Sequence, residues 1–138
     1  MRGISLLLIS GALVGCSTTA EPPAMRSAQS QQQFQRLIAG KIAGPPVSCL
    51  PSTRNDDMTV IDEDTVIFRQ SGSRVYVGHM AGGCNMLGQG GYALVTKRFG
   101  SSGLCHGDIA TVVDTHSGFT VGSCVIGDFT PYAMPGAG

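Results

Sequence analysis

This sequence predicts a small, mainly β domain: an antiparallel sheet of about six strands, curled into a partial barrel or sandwich, with one N-terminal amphipathic helix and two disulfides. Three observations lead there. Short β-branched and aromatic runs recur between turn residues from Val47 onward. Glycine is abundant and Trp absent, and no long helical pattern rich in Leu, Glu and Lys interrupts the runs, a composition of strands and tight turns. Four cysteines, Cys49, Cys84, Cys105 and Cys124, fall within the same stretch.

The chain opens with one cation, Arg2, followed by the apolar run from Ile4 to Gly15. A transmembrane helix needs about 20 apolar residues, so this stretch is too short to span a bilayer. A charged start followed by a brief apolar run is the layout of an export signal. The run ends in Leu13-Val14-Gly15-Cys16, which resembles the lipobox of bacterial lipoproteins. The resemblance implies a diacylglyceryl thioether on Cys16, cleavage before it and acylation of the freed amine. Residues 1–15 are then a lipoprotein signal peptide, and the lipid bilayer is a partner through acylated Cys16. Each buried CH₂ contributes ~0.8 kcal/mol, so two or three acyl chains anchor durably. Ser17 stands where such proteins carry Asp when they stay on the inner membrane, which implies the outer membrane, facing the periplasm.

Residues 16–29 hold Ser, Thr, Glu21 and Pro22-Pro23 without periodicity and read as a flexible tether. Ser30-Gln31-Gln32-Gln33 matches a capping box, and Phe34, Leu37 and Ile38 form an apolar stripe at helical spacing. Gly40 suits a C-terminal cap and Gly44-Pro45-Pro46 blocks continuation, so a helix is expected over 30–39. The periodicity then shifts to two. Asp57 to Ile61 and Thr65 to Arg69 are strands around a turn at 62–64, and Ser71-Gly72-Ser73 turns the chain into Arg74 to His79. After a glycine-rich loop at 81–91 come strands at Tyr92 to Arg98, Ile109 to Val113 and Phe119 to Ser123. One domain, 30–132, is expected, with 133–138 as a flexible tail.

With Cys16 assigned to lipid, an even number of cysteines in a small exported domain reads as two disulfides. Three pairings are open. An internal echo, in which Cys49 and Cys105 each precede a strand bounded by Asp and a later Cys follows, favours Cys49–Cys84 and Cys105–Cys124. A metal centre made of these thiols with His79 or His106 lacks the usual C-x-x-C or H-x-x-x-H spacing.

The remaining chemistry is sparse. Formal net charge is zero and no basic block occurs, which excludes the electrostatic footprint of a nucleic-acid binder. Cys105-His106-Gly107-Asp108 gathers thiol, imidazole and carboxylate, but neighbours on an extended segment point to opposite faces. An oxidised Cys105 is no nucleophile. The carboxylates Asp56, Asp57, Asp62, Glu63 and Asp64 lack the ligand spacing of a calcium loop. Gly82-Gly83 and Gly88-Gln89-Gly90-Gly91 are not followed by a phosphate-binding signature. No cofactor is implied. The segments Leu104 to Ile109 and Gly122 to Phe129 are similar to small Cys-containing domains of unknown function from Gram-negative envelope lipoproteins, a resemblance that implies no activity. The expectation is a membrane-anchored, non-enzymatic binding or scaffolding module with an envelope protein or glycan as partner. The alternatives are a periplasmic hydrolase or metal-dependent enzyme using His79, His106 and Asp108, and an inhibitor or small-ligand binder using the 81–91 loop.

Overall fold

A computed structural model describes residues 26–51, 57–82, 84–97 and 103–137. Cys16, the signal segment and most of the tether lie outside the described residues, as do Asp56 and Arg98. The elements are α1 (Ala28–Ile38), β1 (Ile42–Ala43), β2 (Met58–Asp62), β3 (Thr65–Arg69), β4 (Arg74–Ala81), β5 (Tyr92–Thr96), β6 (Ile109–Asp114) and β7 (Thr120–Ala133). All pairings are antiparallel. Among the described residues, the mainly β class, the one helix and the curled sheet are as the sequence predicts.

The strand order is β2-β3-β4-β7-β6-β5, with β1 also on β7. The last strand therefore lies in the middle of the sheet. β7 is much longer than the stretch expected at 119–123, because β6 takes its first half and β4 its second. Two residues that look like strand breakers are accommodated. Gly127 sits where the β4–β7 register shifts, between the pairs Met80↔Ile126 and Gly78↔Phe129. Pro131 directs its carbonyl to the Gly44 N–H (2.8 Å). The N and C=O of one antiparallel residue point the same way, so the missing Pro N–H faces the thin β1 side and not β4. The expected tail starts inside the sheet: Ala133 pairs with Arg74 and Ile42, and the Ala137 carbonyl accepts from Arg74 Nη2 at 2.7 Å.

The sheet curls into a half-barrel whose concave face buries Val66, Phe68, Met80, Val112, Ile126 and Phe129. Phe68 and Phe129 meet edge to face at 5.8 Å, a favoured aromatic geometry. One end is plugged by the 84–88 turn, whose Cys84 and Leu87 are buried. On the convex side, Ile61, Ile67, Val75 and Val77 pack under Phe34, Leu37 and Ile38 of α1. β3 is thus apolar at consecutive positions because both of its faces are covered.

The helix starts earlier than the capping box predicts. Ser27 is the cap, its Oγ accepting the Ser30 N–H at 3.1 Å, and Ser30 lies inside the helix. The reason is upstream: Arg26 is fixed by Asp62 (Nε to Oδ2, 2.6 Å) and Thr65 (2.7 Å), with its guanidinium 4.6 Å from the centre of the Phe34 ring. That anchorage starts the fold at residue 26, inside the stretch read as tether.

The disulfide pairing is corrected. Cys49 bonds Cys105 and Cys84 bonds Cys124, instead of Cys49–Cys84 and Cys105–Cys124. Insertion of β7 between β4 and β6 brings Cys124 under the 84–88 plug, while the strand-like segment at 47–49 lies beside Cys105 in a β-bridge.

Candidate functional site

Of the three side chains offered as a polar site, Asp108 and His106 each have a partner outside the trio. Asp108 Oδ2 accepts the Cys105 N–H at 2.8 Å, closing the turn on itself. His106 Nδ1 lies 3.0 Å from Asp128 Oδ1, and both side chains are exposed. His79 stands exposed on β4 opposite the β7 bulge, in register with Thr65 of β3. β7 runs between them: Ile126 pairs with Met80 of β4 on one side and exchanges backbone hydrogen bonds with Gly107 and Asp108 on the other. The sequence reading missed Asp128. Its only signal was Gly127-Asp128 inside an apolar run, which a bulge explains.

Three of the five acidic residues, Asp57, Asp62 and Glu63, have protein partners. Asp62 pairs with Arg26, Glu63 Oε1 accepts the Met86 N–H at 3.2 Å, and Asp57 lies 3.5 Å from Arg69. Asp114 accepts the His116 and Ser117 N–H groups in the β6–β7 turn, and these two bonds hold its carboxyl below the ordinary carboxylate value. Among the described residues, no group of three or more His, Cys, Asp or Glu side chains is placed to hold a metal ion. Within the 81–91 loop Cys84 and Leu87 are buried and the Cys84 N–H is bonded to the Glu63 carbonyl at 3.0 Å, while Asn85, Gly88, Gln89 and Gly90 are exposed.

Two surface features bear most on binding. The first is the convex face of β5, β6 and β7. Tyr92, Leu94, Ala110, Val112 and Cys124 turn inward, so Ala93, Val95, Ile109, Thr111, Val113, Val121, Ser123 and Val125 turn outward. Helix α1 covers the β2–β4 half of the convex side, and among the described residues no element covers this half. Ile109 is 54 % exposed, and Phe119 at the adjoining hairpin end is 74 % exposed. The second is a cavity of about 480 Å³ at the half-barrel end opposite the plug, walled by Ile42, Val47, Tyr76, Pro131 and Met134, with Arg74 in its lining.

The sequence matches no family model, and neither a curated protein nor a solved structure is detectably similar to it.

Proposed function

We propose that this protein is a lipid-tethered cell-envelope module, anchored through Cys16 on the periplasmic side of the outer membrane, that works by binding a partner protein. The observation that supports the reading is the convex face of β5, β6 and β7, which no element covers among the described residues. Its outward side chains are small or β-branched and carry no charge. Without cations the face suits a lipid headgroup layer poorly. Among the described residues β5 pairs on one side only, with β6, leaving a strand edge beside the apolar face. That combination fits an extended apolar segment of an envelope protein, laid along β5 as an added strand.

Site-specific photo-crosslinking in intact cells tests the docking face. A crosslinker at Val95 or Val121 is expected to trap one discrete adduct that Ile109→Lys abolishes, while a crosslinker at Gln32 on exposed α1 traps none. Equal labelling from both faces, or an adduct indifferent to Ile109→Lys, would overturn the docking reading. Metabolic labelling with a fatty acid tests the anchor separately: incorporation should vanish in Cys16→Ala, and a wild-type chain that takes up no label defeats it.

A further inference from the structure

We infer that the open end of the half-barrel is a binding site for a single-chain amphiphile with an anionic head, independent of the convex docking face. The concave face continues past Phe68 and Phe129, through the buried Tyr76, to the open end. Beyond Phe68 and Phe129 the inward positions of β4 and β7 are Arg74, Tyr76, Pro131 and Ala133, and Ile42 of β1 pairs with Ala133. Nothing from the plug reaches this end, because the 84–88 turn packs against Val60, Asp62 and Gly122 at the other. The cavity of about 480 Å³ lies within the range of small-ligand sites, ~300–1,000 Å³, and barrel mouths are a recurrent place for them.

The wall sets the ligand class. Ile42, Val47, Pro131 and Met134 offer an apolar bed, and Arg74 is the one charged residue in the lining among the described residues. Arg74 Nη2 donates to the Ala137 carbonyl at 2.7 Å, which fixes the guanidinium at the rim. A guanidinium has five N–H donors in a planar fork, so others remain to meet a carboxylate or phosphate. The acyl chain then lies on this apolar bed at the open end, with its head at Arg74. A free fatty acid and a lysophospholipid both supply this chemistry.

The probes are laurate, lysophosphatidylglycerol and the neutral dodecanol, titrated into the full chain carrying Cys16→Ser, which removes the chain's own lipid from the assay. The sequence contains no Trp, so Met134→Trp places a single fluorescent reporter at the rim. Laurate is expected to shift that fluorescence saturably and at least tenfold more tightly than dodecanol. Arg74→Gln should remove the tenfold preference, Arg74→Lys should keep most of it, and Ile109→Lys on the convex face should change nothing. Tighter binding of lysophosphatidylglycerol than laurate assigns the phosphate head, and the reverse assigns the free acid. Equal binding of laurate and dodecanol, or loss of laurate binding through Ile109→Lys, would overturn the proposal. Circular dichroism on each variant identifies one that has failed to fold, in which case the Arg74→Lys comparison carries the test.

Discussion

A single carbon added at position 127 would meet the His79 carbonyl oxygen at 2.8 Å, closer than real Cβ contacts come. The neighbour is backbone in the middle of the sheet, so relief requires β4 and β7 to move apart. Gly127→Ala is therefore expected to destabilise by about 1–3 kcal/mol, the usual cost of overpacking. Gly72 supplies the control, because nothing lies within 4 Å of an added Cβ there and its backbone is not left-handed. At such a site Gly→Ala is neutral or stabilises by about 0.4–1 kcal/mol through the unfolded chain. Urea unfolding of the two variants checks this; equal midpoints would show that β7 tolerates the carbon. Asp128 follows directly in the bulge, so the same distortion should disturb the His106–Asp128 contact. Neither Gly127 nor Asp128 was legible as a site in the sequence, since a bulge depends on which strand lies alongside.

At the scale of elements, α1 owes its place to packing and to Arg26. Eleven residues rich in Gln are marginal as an isolated helix in water. The apolar stripe Phe34, Leu37 and Ile38 was readable from spacing, and it docks on Ile61, Ile67, Val75 and Val77 as an amphipathic helix should. The start was not readable, because two serines, Ser27 and Ser30, both suit an N-cap. What decides between them is a contact 36 residues away, Arg26 with Asp62. Both side chains of that pair are about three-quarters covered, so it exceeds an ordinary surface ion pair, which contributes about 0–1 kcal/mol. Leu37→Ala is expected to cost about 1–2 kcal/mol, below the fully buried range because the residue is half-buried. Arg26→Ala should instead raise amide exchange in the first turn of α1 more than it lowers the melting temperature. Hydrogen exchange resolved along residues 27–38 distinguishes the two, and uniform fraying in both variants would show that Arg26 does not set the start.

For the whole molecule, the insertion of β7 between β4 and β6 decides how the cysteines meet. Fold class and most strand positions could be read locally, from β-branched runs and turn residues. Pairing could not, because the echo between the chain's halves assumes that each half closes on itself. The central strand belongs to both halves, so the bridges interlock, spanning 56 and 40 residues. Loop-closure entropy gives each about 4 kcal/mol, a large share of a small domain's stability. The two differ in access. Cys84 and Cys124 are buried in the concave core, whereas Cys49 is exposed and Cys105 half-buried. Thiol–disulfide exchange requires a thiolate to reach a sulfur, so Cys49–Cys105 should open first under graded reductant, while the sheet still stands. Alkylation followed by peptide mapping is then expected to label Cys49 and Cys105 well before Cys84 and Cys124. The second bridge should yield only when circular dichroism reports loss of the strands. Simultaneous labelling of all four, or a non-reduced peptide joining Cys49 to Cys84, would contradict both the pairing and the central place of β7.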